Sequence, residues 1–253
     1  MHLVQMRPEE LKDAVYRNVP LLMAAGVVEY HGPHLPIGTD FLIANAICEA
    51  VEQRCECVLA PPLPFGPTMS WAGGADEGEM DFDPEAFFGY AKESLRGMMN
   101  MGFGRIYVLQ HHQGLEGLQS LALRRAGSEL IREVAKTFGE GWGRKLKDTL
   151  PQPNIFQWIK VAQVDTFSKY PGPFPGPIPI GHAGKGETQL IWAAYPDTVR
   201  LPLLDTWDGP LPRWLTDANQ ATEEEGRKWL EFCIQGWVDE LSPRGPAPKT
   251  KQG

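Results

Sequence analysis

Short apolar runs that alternate with amphipathic segments constrain the fold of this chain more than any other feature. Runs at Val19–Val28, Cys57–Leu63 and Arg105–Gln110 have the length and composition of buried strands. Segments with apolar residues at helical spacing follow these runs, at 41–52, 84–101 and 118–137. Alternation of this kind predicts an α/β fold in which helices cover both faces of a mostly parallel sheet.

The rest of the chain continues the pattern with one strand and two helices. The strand is predicted at Lys160–Phe167, and the helices at Glu187–Ala194 and Thr222–Leu241. Because 253 residues with 42% hydrophobic side chains suffice for one core, we expect a single domain over residues 1–241.

Two segments and the cysteines stand apart from this pattern. Residues 138–158 are predicted to form a surface insertion, and residues 242–253, rich in Pro, Lys and Gly, a disordered tail. The cysteines lack the spacing of a zinc knuckle, so we expect all four to be reduced packing residues. They are Cys48, Cys55, Cys57 and Cys233.

Charge and hydropathy exclude several kinds of partner. Acidic residues number 32 against 24 basic ones, and the net charge of −8 has the wrong sign for binding nucleic acid. No stretch approaches the roughly 20 apolar residues that span a bilayer, and residues 1–10 lack the pattern of a secretory signal. We therefore expect a cytoplasmic protein without a membrane or nucleic-acid partner.

The densest group of polar residues lies directly after the first predicted strand. Glu29 and His31 are two residues apart and face the same side if the chain stays extended, and Asp40 begins the next helix. In an open α/β sheet the functional crevice lies at the carboxyl ends of the strands, where these side chains converge. Carboxylates together with an imidazole suit Zn, Mn or Fe(II), and the two oxygens of Asp40 can bridge a pair of ions.

Each of these residues also has a simpler interpretation. Taken alone, Asp40 is an N-cap, His31 a core-edge histidine and Glu29 a solvated carboxylate. Three residues of ligand type between one strand and one helix favour a metal site instead.

Two later segments add candidate residues. In the first, His111 and His112 follow a strand, and if strand geometry persists they face opposite ways, so we expect only one of them to reach the site. In the second, His182 can shuttle protons, and Glu187 can act as a ligand or a base. The alternative for the second segment is that His182 caps a loop and Glu187 favours a helix N-terminus electrostatically.

These motifs resemble the signature of the creatininase family. The resemblance rests on Glu29-x-His31-Gly32-x-His34-Leu35-Pro36-x-x-Thr39-Asp40 and on His182-Ala183-Gly184-x-x-Glu187-Thr188, and it runs from about Val19 to Val199. It implies a three-layer α/β/α sandwich, a two-metal centre and a homo-oligomer, commonly a hexamer made of dimers. We expect one or two divalent metals per chain.

The resemblance also implies roles for single residues. Glu29, Asp40 and His112 would hold one metal, while His31 and Asp40 would hold the other. His182 matches the histidine that protonates the leaving group, and Glu187 matches an acid near the metals that is either a direct ligand or a base. His34 is read as structural. His112 is expected to be the ligand, and His111 to form a hydrogen bond with a neighbouring loop or subunit.

One departure from the family pattern affects the expected substrate. Creatininase itself carries a metal-binding Glu two residues after the ligand histidine, where this chain has Gly114. Water, Glu187 or Glu116 would have to complete the shell of the second metal, which argues against creatinine as the substrate. Trp71 either lines a substrate pocket or packs within its loop.

Three functions are compatible with these residues. The first is hydrolysis of a cyclic amide or related C–N bond in a small polar metabolite by a metal-activated water. The second uses the same water to open a carbocyclic diketone at a C–C bond, as inosose-type hydrolases that resemble this family do. The third is a metal-binding relative without catalysis, and the joint presence of His182 and Glu187 with the ligand set counts against it.

Overall fold

Four parallel strands form the centre of the molecule. They are β1 (Leu21–Ala25), β2 (Val58–Leu59), β3 (Ile106–Gln110) and β4 (Ile159–Gln163), in the spatial order β2-β1-β3-β4. All three pairings between neighbouring strands are parallel. The structure is a computed structural model, and it describes residues 1–144, 154–169 and 181–242.

Alternate residues of the strands face two separate cores. Leu22 and Ala24 of β1 belong to one buried cluster, whereas Leu21 and Met23 belong to the other. All five residues of β1 are buried, as are those of β3. Because successive side chains of a strand point to opposite faces, a strand that is apolar at every position must be covered on both sides.

Within the described part of the chain, six α-helices supply that cover. They are α1 (Pro8–Tyr16), α2 (Thr39–Glu52), α3 (Pro84–Asn100), α4 (Leu118–Thr137), α5 (Lys185–Ala194) and α6 (Glu223–Leu241). Helices α2, α5 and α6 contribute to the core on one face of the sheet, and α1, α3 and α4 to the core on the other. The predicted α/β fold, with helices on both faces of a mostly parallel sheet, is confirmed.

The strands are shorter than predicted, because buried apolar residues extend beyond the sheet. Val19 and Val27 flank β1 and are buried, yet neither belongs to the strand. A run of apolar residues therefore marks burial more reliably than it marks strand ends. Helix α2 also begins earlier than predicted, at Thr39 rather than residue 41, and its N-cap is Gly38 rather than Asp40.

Several predicted segments fall partly outside the described residues. Of the predicted insertion, residues 145–153 lie outside them, and short 3₁₀ turns occupy Trp142–Arg144 and Ile155–Gln157. Residues 243–253 of the predicted tail also lie outside. Among the helices that the structure describes, none is long and apolar enough to cross a membrane.

The order of the strands creates a crevice between β1 and β3. The chain runs from β1 to β2 on one side and then returns to β3 on the other side of β1. The connections therefore diverge at the carboxyl ends of β1 and β3, which is where ligands bind in open α/β sheets. Gly26 lets α2 approach this point, because a Cβ there would lie 2.5 Å from the Cα of Phe41.

Candidate metal centre

Four segments bring their polar side chains to this crevice. Glu29 and His31 follow β1, Asp40 lies in the first turn of α2, and Glu187 lies in the first turn of α5. His111 and His112 directly follow β3, and His182 precedes α5. The long separation of these segments in sequence means that only the folded chain brings the residues together.

One group of possible metal ligands consists of Glu29, Asp40 and His112. Nδ1 of His112 lies 3.0 Å from Oδ2 of Asp40 and 3.2 Å from Oε1 of Glu29. The three side chains are buried, and their ligand atoms lie within 4.8 Å of one another. A single ion could therefore contact all three.

A second group shares Asp40 with the first and consists of His31, Asp40 and Glu187. Nε2 of His31 lies 3.4 Å from Oδ1 of Asp40 and 3.4 Å from Oε2 of Glu187. Asp40 thus directs one oxygen toward each group, which is the geometry of a carboxylate that bridges two ions. Glu29, His31 and His182 form a third group of the same size.

Unpaired polar atoms in the crevice fit a metal ion. Nε2 of His31 and Oδ1 of Asp40 are buried and have no hydrogen-bond partner among the described residues. Burying such atoms without a partner costs free energy, so a native site normally supplies one. Imidazole nitrogens and carboxylate oxygens are ligands of Zn, Mn and Fe(II).

The histidine pKa values show that this crevice favours positive charge. Burial by itself lowers the pKa of His112, but Asp40 and Glu29 outweigh burial and raise it to about 10. His31 follows the same pattern, since Asp40 and Glu187 hold its pKa well above the usual range despite burial. Three carboxylates therefore stabilise cations here, whether protons or metal ions.

Both histidines after β3 reach the crevice, so the prediction that only one would do so is wrong. Nε2 of His111 lies 3.1 Å from Oε1 of Glu187 and 3.7 Å from Oδ1 of Asp40. The prediction assumed that strand alternation continues through both residues. β3 ends at Gln110, so neither histidine belongs to the strand and strand alternation does not apply to them.

The simpler interpretations of Asp40 and Glu29 do not match the geometry, whereas that of Glu187 agrees with its position in the first turn of α5. Asp40 is not the N-cap of α2, and Glu29 is only 4% exposed rather than solvated. Glu187 lies near a helix N-terminus but is buried, where it accepts a hydrogen bond of 2.6 Å from the backbone N–H of Ala183. Burial raises the pKa of Glu187, but its contacts with His111 and His31 outweigh burial and lower it to about 2.

His182 stands at the border between the buried carboxylates and an open cavity. Nδ1 of His182 lies 3.3 Å from Oε1 of Glu29, and Nε2 lies 2.8 Å from the carbonyl oxygen of Tyr30. Since a carbonyl only accepts, Nε2 carries the hydrogen, and Nδ1 is the nitrogen that can exchange a proton.

The cavity beside His182 has a volume of about 910 Å³. Trp71 forms part of its wall, with its ring 5.2 Å from the ring of His182, and 58% of the residue is exposed. Trp214 contacts both rings, at 5.1 Å from His182 and 5.9 Å from Trp71. Trp214 was missed because it lies more than 30 residues beyond His182, in a segment without a recognisable motif.

Gly114 and Glu116 lie in the rim of the same cavity. Gly114 adopts a φ of 69°, and a Cβ at this position would meet no atom within 4 Å. Glu116 is exposed, unlike the buried Glu29, Asp40 and Glu187. Neither residue supplies a buried carboxylate to the crevice.

Buried hydrogen bonds around the crevice hold its segments in place. Nε2 of His34 donates to Oγ1 of Thr188 at 2.9 Å, and this hydroxyl donates in turn to the carbonyl of Ala183. On the other side, Nε2 of Gln119 donates to the carbonyl of Gly26 at 2.7 Å. Gln119 was not among the predicted site residues, because a single glutamine at the start of an amphipathic helix carries no distinctive pattern.

Comparison with known proteins agrees with this geometry. The profile of the creatininase family, described as creatinine amidohydrolase, matches residues 4–241. Creatinine amidohydrolase of Pseudomonas putida is 27% identical over 250 residues, which cover 89% of this chain and 90% of that protein. 3-Dehydro-scyllo-inosose hydrolase of Thermotoga maritima is 25% identical over 193 residues, covering 76% of this chain and 55% of that protein.

Solved structures agree on the fold. A structure described as "Creatininase Mn" superimposes with a TM-score of 0.71 and 23% sequence identity, over 95% of this chain and 96% of that chain. The match to the family profile extends beyond the segment from Val19 to Val199 in which the motifs were recognised. This chain belongs to the creatininase family of hydrolases.

Proposed function

We propose that this protein is a metal-dependent hydrolase that opens a cyclic amide or a related C–N bond in a small polar metabolite. One observation carries the proposal: carboxylates and imidazoles from four separate segments converge in one crevice, and several of their buried atoms lack hydrogen-bond partners among the described residues. The similarity to a creatinine amidohydrolase supports the choice of an amide.

The proposed centre has two adjoining metal positions. Glu29, Asp40 and His112 would hold one ion, and His31, Asp40 and Glu187 the other, so that Asp40 serves both. Glu187 is thereby assigned as a ligand in addition to its expected role near the reaction. Bound Zn, Mn or Fe(II) would polarise a carbonyl and make hydroxide available near neutral pH.

His182 is proposed to protonate the leaving nitrogen. Its Nε2–H donates a hydrogen bond to the carbonyl of Tyr30, so Nδ1 is the nitrogen that would hold and release the proton. Nδ1 lies beside Glu29, and the ring borders the cavity in which a substrate would sit. A proton delivered at this place converts a poor leaving group into a neutral amine.

The cavity is proposed to hold the substrate. Its volume of about 910 Å³ lies within the range of sites for small molecules. Trp71 is proposed to pack against the substrate ring, because it lines the cavity and its ring lies 5.2 Å from that of His182.

The experiment starts from metal-free protein that is reconstituted with Zn, Mn or Fe(II) in turn. Each form is screened against lactams, formamides and cyclic polyol ketones, with product identified by mass spectrometry. Metal-dependent opening of a lactam supports the proposal, whereas opening of cyclic polyol ketones alone assigns the inosose-type reaction. Metal binding without turnover on any class would point to the non-catalytic alternative.

The assembly and the compartment are part of this proposal. We infer a homo-oligomer, and a hexamer in particular, from the family resemblance. Light scattering of the purified protein measures the number of chains in the assembly.

A cytoplasmic location agrees with four free cysteines, since reducing compartments keep thiols unpaired. Fractionation of cells that produce the protein tests the location.

A further inference from the structure

His111 forms a hydrogen bond of 3.1 Å with Glu187, as its expected structural role requires, but this bond does not explain its proximity to Asp40. His111 is 2% exposed, and its Nε2 faces the carboxylates of Asp40 and Glu187. We propose that His111 is a direct ligand of the ion held by His31, Asp40 and Glu187. This inference rests on the proposed function, because it assigns a fourth protein ligand to one of the two proposed metal positions.

The distances between the ligand atoms match a metal shell. Bonds of about 2.1 Å from one ion to four tetrahedral ligands place those ligands about 3.4 Å apart. Nε2 of His111 lies 3.1 Å from Oε1 of Glu187 and 3.7 Å from Oδ1 of Asp40, whereas Nε2 of His31 lies 3.4 Å from Oε2 of Glu187 and 3.4 Å from Oδ1 of Asp40. Each of these separations is close to the ligand spacing around one ion, and Glu187 presents one oxygen to each histidine.

The unpaired oxygen of Asp40 lies between the two histidines. Oδ1 is buried without a hydrogen-bond partner among the described residues, and it faces Nε2 of His31 and Nε2 of His111. An ion between these three atoms would satisfy the oxygen and both nitrogens at once. A hydrogen bond from His111 to Glu187 alone would leave Oδ1 unsatisfied.

The backbone fixes His111 in this place. Its N–H donates a hydrogen bond of 3.0 Å to the carbonyl of Ala25, so the residue is anchored to the end of the neighbouring strand β1. The residues that follow His112 cannot complete this shell from within the crevice. Gly114 has no side chain, and Glu116 is exposed at the rim of the cavity. The buried imidazole of His111 thus replaces the metal-binding Glu that creatininase carries at the position of Gly114, three residues farther along this chain.

The test compares the metal content of wild type, His111→Ala and His111→Gln. Each protein is titrated with Co(II) and with Zn(II), and both the number of ions per chain and the visible spectrum of bound Co(II) are measured. His2→Ala serves as the control, since His2 is partly exposed on the surface and lies outside the crevice. Circular dichroism of each variant verifies that it is folded.

Wild type is expected to bind two ions per chain, whereas both His111 variants are expected to bind one. The absorption bands of Co(II) at the second position should then be absent from the spectra of the variants. The glutamine variant distinguishes the role, because its amide can still donate a hydrogen bond to Glu187. If His111→Gln keeps two ions with unchanged affinity and spectrum, His111 only positions Glu187 and the inference is overturned. If His111→Ala does not fold, the comparison between wild type and His111→Gln still tests the inference.

Two further outcomes separate this inference from the proposed function. A wild type that binds one ion, lost on removal of His112, overturns the assignment of His111 and leaves metal-dependent hydrolysis standing. A wild type that binds no divalent metal overturns both.

Discussion

Oδ2 of Asp40 lies 3.0 Å from Nδ1 of His112, although 72 residues separate them in the chain. The contact joins the first turn of α2 to the end of β3 across the crevice beside β1. The other oxygen of Asp40 faces His31 at 3.4 Å. Asp40 is therefore the one side chain that touches both proposed metal positions, and it is the residue whose loss should affect the centre most.

Asp40→Asn is expected to remove bound metal and activity together. The amide keeps the size of the side chain but loses the negative charge that two positions share. We expect metal affinity to fall by more than the roughly 10-fold to 100-fold that residues outside the metal shell contribute. Metal content measured by plasma mass spectrometry, with the exposed Asp197→Asn as a control, checks this result. Full metal content in the Asp40 variant would contradict the bridging role.

His182→Ala is expected to keep its metal and lose turnover. General acid catalysis typically contributes a factor of about 100 to 10,000, so kcat should fall by that amount. Steady-state kinetics and metal analysis on the same preparation measure both quantities. The acid is mis-assigned if metal content falls as far as it does in Asp40→Asn.

Metal binding at pH 8 is expected to release protons. In the metal-free protein the pKa of His112 is about 10, so its imidazole is protonated at pH 8, and that of His31 is also raised. A metal ligand must be a neutral imidazole, so protons leave as metal enters, and affinity weakens as the pH falls. Titration calorimetry in two buffers with different ionisation enthalpies counts the protons. Binding with no proton exchange would mean that the histidines are not ligands.

Trp71→Ala is expected to raise KM about 5-fold and to leave metal content unchanged. The ring stands at the cavity wall beside His182, and loss of one aromatic contact costs about 1 kcal/mol. Tyr16→Ala is the matched control, because Tyr16 is an exposed aromatic on α1, outside the cavity lining. Equal kinetic effects of the two variants would remove Trp71 from the substrate site.

The sequence was sufficient to predict the layers of the fold, because the apolar residues follow one pattern in the strands and another in the helices. A strand such as Leu21–Ala25, apolar at every position, can be buried only between two layers of helices. The ends of the strands were predicted less well, because Val19 and Val27 are buried outside the sheet. Hydrophobicity reports burial, whereas the strand ends depend on which backbone groups find partners.

The site was predictable where residues are close in sequence and less so where the fold joins distant segments. Glu29, His31 and Asp40 form one motif, and the structure places all three in the crevice. His111 was misjudged because its direction depends on where β3 ends, and Trp214 because no local pattern links it to His182. Both residues owe their position to tertiary packing.

Anomalous diffraction from crystals of metal-loaded protein tests the central claim most directly. Data collected at the absorption edge of the bound metal locate each ion relative to its ligands. We expect an ion at about 2.0 to 2.2 Å from Glu29, Asp40 and His112. A map from protein loaded with Zn, Mn or Fe(II) that shows no ion in this crevice, or a crevice in which these three side chains do not converge, would contradict it.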